Sequence, residues 1–477
     1  MMMRNTLKRR AFFLSFIVFA LLVVPIASYS CTTVLVGKDM TADGSVIHAH
    51  NEDMGPSAVG RLWAVEAATH KTGDTLEVPY VKIPQVEESY QYWASGNALA
   101  STGLGISAET RPYDYVLVGM NQWGVTMSCN WMYSKENDMA GEGIRRYAIR
   151  QLILERAKTA REAVKIIGDF IDEYGQADWG GLGYCLADPR EAWLVETTTK
   201  HWVAKQIKDD EIWVVANRFT IGKDYNLSSE GLVDFAKKNG WYDPSNGDFS
   251  FRDAYGRPDM MNQAYDKDRE ARAMQLLEHI KGYITPEDLF LVLRDRYEGT
   301  PKFSRPSHEP ISRGASIARP ICTNNVCQSA SVAHLRSDMP VEVGAVMWYA
   351  VAAPYYSGFF PVYAGAKEIP EEFSNVNSAY SPDSAWWTFR LLEKIGVTQY
   401  AKTNPMVANF WMANHANIVE KQKDFEKRVL DLMNSNKKED AVKLLNTFTS
   451  GQAYNTLYNG RRLLTLIQDS TKNVPIW

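Results

Sequence analysis

The sequence predicts an α+β fold: a strand-rich layered core followed by a helical C-terminal region. Three observations predict it. Short β-branched runs recur in pairs around turn residues, capped helical stretches interrupt those pairs, and after about Pro370 the strand signals give way to long helical spacing. The chain has 477 residues. That length accommodates roughly two or three domains, or one large core with a helical appendage. The expected division is 1–30, 31–370 and 371–477. With 45% hydrophobic and 23% charged residues the chain is neither disordered nor low in complexity. A net charge of −4 without a basic stripe excludes a nucleic-acid partner.

In chain order, Cys31-Thr-Thr-Val-Leu-Val-Gly37 and Ser45-Val-Ile-His-Ala-His50 flank Asp43-Gly44 and predict a β-hairpin. Further strand pairs are expected at Tyr115 to Met120 with Val125 to Cys129, and at Gly183 to Ala187 with Ala192 to Thr197. A fourth pair is His201 to Ile207 with Ile212 to Ala216. Between the second and third pairs, Glu142 to Ala157 has helical apolar spacing, and Thr159-Ala-Arg-Glu162 is a capping box for a helix ending near Gly175. Thr285-Pro-Glu-Asp288 opens a helix through Arg294 with proline at its first position. Strands return at Ser329 to His334 and Ala345 to Val351, and helices fill Ser384 to Ile395 and Asn404 to Ile467. No repeat at solenoid periods is present in the sequence.

The first thirty residues read as a secretory signal peptide. Arg4, Lys8, Arg9 and Arg10 precede an apolar run from Ala11 to Ile26, and Ser28 and Ser30 occupy −3 and −1 of a cut before Cys31. The run is shorter than the ~20 residues of a spanning helix, so stable membrane insertion after cleavage is not expected. Cleavage removes four basic and no acidic residues and takes the net charge from −4 to −8. An exported protein, periplasmic or extracellular, is the expectation. A cysteine after such a signal has two other readings, a lipid anchor and a half-cystine. The lipoprotein pattern calls for Leu at −3 and a small residue at −2, where this chain has Ser28 and Tyr29.

With Cys31 at the new terminus, one residue carries both a thiol and a free α-amine. An amine titrating near ~7.7 to 8.0 can take the proton of a thiol near ~8.5, so the pair supplies nucleophile and base without a histidine. Attack on an amide carbonyl then gives a thioester that water hydrolyses.

The start Cys31-Thr-Thr-Val-Leu-Val-Gly37, then Asp43-Gly-Ser45 and Asn51-Glu-Asp53, resembles the dipeptidase A (PepD-type) cysteine peptidases of the N-terminal nucleophile hydrolases. The likeness continues through Gly119-Met-Asn-Gln-Trp-Gly-Val125, Trp193-Leu-Val-Glu196, Val215-Ala-Asn-Arg218, Met347-Trp348 and Trp386-Trp387. Penicillin V acylase and bile salt hydrolase are more distantly similar. The resemblance implies a four-layer αββα sandwich and a dipeptidase acting on dipeptides or very short peptides. An N-acyl amide hydrolase is the alternative within enzymes, and a lipid-anchored surface binding protein the alternative outside them.

Residue by residue, the resemblance implies that Cys31 is the nucleophile and that Asp53 holds its amine. Asn217 matches an oxyanion-hole asparagine, with Asn130 close to a second oxyanion group. Arg272 falls where relatives keep a late active-site arginine, and Arg269 is the other candidate for that match. The family commonly has arginine three residues before the aspartate, where this chain has His50; a histidine there makes activity sensitive to pH in the imidazole range. Arg61 or Arg272 could supply the missing positive charge.

No metal or organic cofactor is expected, since nucleophile, base and oxyanion donors are all protein groups; small peptides are the expected partners and the oligomeric state is left open. The five cysteines are an odd number. Cys322 and Cys327, close in sequence in an exported chain, are expected to form a local disulfide. Cys129 and Cys185 lie in apolar strand contexts and read as buried thiols, a bridge between them being the alternative. Cys31 is then the unpaired one.

Overall fold

The computed structural model describes residues 31–471 apart from 56–57, 79, 98–115, 138–141, 304–318, 324 and 375–378. The signal-peptide expectation therefore lies outside the described residues, as does Tyr115.

Fourteen strands build the two large sheets. They are β1 (Thr32–Val36), β2 (Val46–Asp53), β3 (Gly60–Val65), β4 (Tyr92–Asn97), β5 (Val116–Asn121), β6 (Thr126–Met132) and β7 (Gly181–Ala187), then β8 (Ala192–Thr197), β9 (Trp202–Ile207), β10 (Ile212–Val215), β11 (Leu227–Ser228), β12 (Cys327–Leu335), β13 (Ala345–Val351) and β14 (Phe360–Tyr363). One sheet has the order β10-β1-β2-β12-β13-β14 and the other β11-β9-β8-β7-β6-β5-β4-β3. Every pairing in them is antiparallel, and most are between strands consecutive in the chain; short turns close some of these, such as β7–β8, while α1 (Arg146–Arg156) and α2 (Ala160–Tyr174) lie between β6 and β7.

The sheets face each other across a layer of apolar and hydrogen-bonded side chains. His48 on β2 bonds Thr126 and Ser128 on β6 at 2.9 and 2.8 Å, and burial pushes this imidazole down to about 3, so it bridges the sheets as a neutral ring. Helices α1 and α2 cover the outer face of the eight-stranded sheet. On the outer face of the six-stranded sheet lie α3 (Ala264–Leu277) and α4 (Pro286–Arg294). The layers thus run helix, sheet, sheet, helix, the αββα sandwich expected.

The caps sit where the sequence places them. Thr159 accepts from the Glu162 N–H at 3.1 Å, α2 ends at Gly175 with φ +69°, and Thr285 with Asp288 completes a capping box at the start of α4. The C-terminal region consists chiefly of α5 (Ala385–Gly396), capped by Ser384, α6 (Tyr400–Asn434) and α7 (Lys438–Thr471). Asn436, at φ +58°, turns the chain between α6 and α7; asparagine tolerates that left-handed conformation. The apolar face of these helices continues the core through Trp386, Phe389 and Trp411, and α7 packs against β14.

Three expectations need correction. The fourth strand pair does not form, because β9 belongs to the eight-stranded sheet whereas β10 pairs with β1 in the other. The turn between them docks on Gly37, whose N–H donates to the Glu211 carbonyl at 2.9 Å, so the chain crosses between sheets there. A Cβ on Gly37 would lie 2.2 Å from the Lys208 carbonyl oxygen, which only glycine avoids. Helix α1 starts at Arg146 rather than Glu142, since Gly143 takes φ +84° and Ile144 bridges to Gln176 first. The disulfide between Cys322 and Cys327 is not formed; all five cysteines are free and buried. Cys327 is already in register with Asp53 and its thiol points to the Ser329 carbonyl at 3.4 Å, while the Cys322 N–H is tied to Asp295. Cys129 and Cys185 are buried free thiols, as one of the two readings has it.

Candidate active site

Strand register gathers the site. Thr32 lies opposite Asn51 and Thr33 opposite His50, which sets Cys31 at the head of β1 against Glu52. Alternation then sorts the side chains onto two faces. Toward the second sheet point Cys31, Thr33, His50 and Glu52; toward α3 and α4 point Thr32, Asn51 and Asp53.

On the first face the Cys31 thiol donates to Glu52 Oε1 at 3.6 Å, and Glu52 Oε2 lies 3.2 Å from His50 Nε2. His50 Nδ1 is 2.7 Å from Thr33 Oγ1, which donates to Asn130 Oδ1 at 2.7 Å. Asn130 uses both amide hydrogens on the carbonyls of Val215 and Ala216, at 3.0 Å each. Its orientation is thereby fixed: Oδ1 must accept, Thr33 must donate to it, and Thr33 Oγ1 accepts the Nδ1 hydrogen of His50. The ring's Nε2 is left to face Glu52 and Cys31. Burial pushes the Cys31 thiol well up, and the charges of Glu52 and Asp53 add to this. The Asp53 N–H and the buried Arg150 guanidinium work in the other direction.

On the second face Arg319 donates to Asp53 Oδ2 at 2.5 Å, and Asp53 is fully buried. Burial raises the Asp53 carboxyl, opposed by Arg319 and Arg269. Its Oδ1 is buried with no hydrogen-bond partner among the described residues. Arg269 donates to the Cys31 carbonyl at 2.7 Å, to Thr32 Oγ1 at 2.9 Å and to Asn217 Oδ1 at 2.9 Å, and pairs with Asp266 at 2.7 Å. Asn217 donates one amide hydrogen to the Trp131 carbonyl at 2.9 Å, and the second has no partner among the described residues.

Cys31 and His50 on one face of the hairpin, and Asp53 and Asn217 on the other, thus gather around the head of β1. Two others are not placed as the sequence reading had them. Arg272 forms a two-pronged pair with Asp295, at 3.0 and 2.7 Å, and also bonds Gln275; Arg269, one helical turn earlier, is the arginine that meets the nucleophile. Asn130 has no amide hydrogen left for an oxyanion, because it ties β6 to β10 and to Thr33. Arg61 lies over the Trp63 ring on β3, 3.9 Å from its centroid. Sequence reasoning missed Glu52, Arg150 and Arg319. Glu52 was within reach, since hairpin register alone sets it across from Cys31; the other two depend on long-range packing.

The sequence model of peptidase family C69 matches residues 30–413, most of the chain. The chain belongs to peptidase family C69. Curated relatives include a probable dipeptidase of Latilactobacillus sakei, 25% identical over 406 residues, covering 78% of this chain and 82% of the relative. A probable dipeptidase B of Streptococcus pyogenes serotype M1 is 27% identical over 403 residues, 76% of this chain and 77% of the relative. Among solved structures, a mutant conjugated bile acid hydrolase from Clostridium perfringens aligns with a TM-score of 0.40 at 14% identity, over 74% of this chain and 98% of that one. Membership of family C69 makes this chain a peptidase. Among the described residues no helix is long and apolar enough to cross a membrane.

Proposed function

We propose that this C69 peptidase is an exported dipeptidase whose nucleophile is the thiol of Cys31, exposed as the mature N-terminus by signal cleavage. One observation carries the reading: the first residue after the expected cut heads β1, within reach of Glu52 and beside a buried aspartate with one oxygen unpartnered. A newly freed α-ammonium supplies the donor that Asp53 Oδ1 lacks. An orphaned buried carboxylate oxygen costs about 1–3 kcal/mol, which that contact recovers.

In the reaction the α-amine takes the Cys31 thiol proton and the sulfur attacks the scissile carbonyl. The second amide hydrogen of Asn217 meets the oxyanion, and Arg269 holds both that amide and the Cys31 carbonyl. Collapse forms the thioester as the leaving amine takes the proton. Water then attacks the thioester, releasing the acid and restoring the thiol. The names of the relatives, probable dipeptidases, support short peptides as substrates.

The test is a panel of dipeptides, longer peptides and N-acyl amino acids offered to purified mature protein. Hydrolysis of dipeptides is expected; turnover confined to N-acyl amides overturns the assignment. Mass analysis of the exported chain is expected to find a free Cys31 terminus, and a diacylglyceryl-modified Cys31 contradicts the nucleophile.

A further inference from the structure

The imidazole of His50 places a nitrogen donor beside the Cys31 thiol and the Glu52 carboxylate. An arginine is a fixed cation without a lone pair, whereas an imidazole offers one. Here the side chains of Cys31, His50 and Glu52, all buried, bring a sulfur, a nitrogen and a carboxylate oxygen within 4.8 Å of one another. The separations are 3.6 Å from Sγ to Glu52 Oε1 and 3.2 Å from His50 Nε2 to Glu52 Oε2. Two metal bonds of ~2.0 to 2.3 Å at a tetrahedral angle hold their donors roughly 3.3 to 3.8 Å apart; the two separations, which run to the two different oxygens of Glu52, lie within or just below that range. The ring is also oriented as a ligand needs. Asn130 fixes Thr33 and Thr33 accepts the Nδ1 hydrogen, which leaves Nε2 facing the other two donors and open to a metal once it carries no proton.

We propose that Cys31, His50 and Glu52 form a binding site for a divalent cation of the zinc class, and that its occupancy blocks the peptidase. A thiolate, imidazole and carboxylate set suits zinc rather than calcium or magnesium. Binding displaces the Cys31 thiol proton to solvent and forms a sulfur–metal bond with the lone pair that would otherwise attack substrate. The inhibition rests on the nucleophile reading above; the site itself does not.

The experiment titrates metal-free mature protein with cobalt(II) as a spectroscopic stand-in and with zinc(II) during dipeptide hydrolysis. One equivalent of cobalt is expected to bring up sulfur-to-cobalt charge-transfer absorption, absent in Cys31→Ser. His50→Arg is expected to bind cobalt at least tenfold more weakly, and Thr33→Val, which keeps all three ligands, to loosen it by roughly 10- to 100-fold. Zinc is expected to stop hydrolysis and a chelator to restore it. Hydrolysis of dipeptides with no such absorption overturns the metal site and leaves the peptidase reading standing. The absorption without hydrolysis by the metal-free protein overturns that reading and leaves the site. Activity that requires zinc overturns the blocking role.

Discussion

At the scale of single residues, two buried carboxylates have opposite duties. Asp53 is held by Arg319 on one oxygen and leaves the other bare beside the nucleophile's strand. Asp53→Asn removes the carboxylate charge of this buried ion pair with Arg319. A loss of about 3–5 kcal/mol in denaturant unfolding is expected, with a fall in kcat/KM larger than any change in KM. Glu196 is purely structural: it accepts from the Thr220 and Ile221 N–H groups, and burial pushes it up to about 7. A carboxyl raised in the fold contributes stability that is complete below its ordinary value near 4.5 and is lost as pH rises through about 7. Between about pH 5 and pH 8 the wild type is therefore expected to lose about 2 to 3 kcal/mol more than Glu196→Gln, measured by urea unfolding. Parallel pH profiles of the two proteins would remove burial as the cause.

At the scale of elements, the hairpin β1–β2 is the part that positions chemistry, because one register decides which side chains meet the thiol. A slip of one residue would exchange the His50–Glu52 face for the Asn51–Asp53 face. The β9–β10 turn docked on Gly37 and the β10–β1 pairing hold that register. Gly37→Ala is expected to cost about 1–3 kcal/mol through the collision with Lys208, and to lower activity without changing any residue of the site. Unchanged stability would show that the turn is not what fixes β1.

The hairpin, the paired strands β7–β8 and the caps of α2 and α4 were legible in the sequence, since each signal is local. Strands β3 and β4 carried no such signal and were not anticipated, and the sheet change at β10 depends on a docking contact far off in sequence. The site divides in the same way. Cys31, His50 and Asp53 are set by one hairpin, whereas the choice of Arg269 over Arg272 turns on which face of α3 meets β1, and Arg319 arrives from another part of the chain.

At the scale of the whole molecule, two large sheets and four flanking helices hold Cys31, the proposed mature N-terminus, in the interior, where a chain start is ordinarily exposed. Burial and two nearby carboxylates push its thiol up; in the proposed mature form the freed amine can take that proton, so processing is expected to switch the enzyme on. The most direct test compares kcat/KM for a dipeptide in two forms of the chain, one beginning at Cys31 and one retaining Ser30 in front of it. The account predicts activity in the first and a loss of at least about a thousandfold in the second, matched by Cys31→Ala in the first form. Equal activity in the two forms would contradict it.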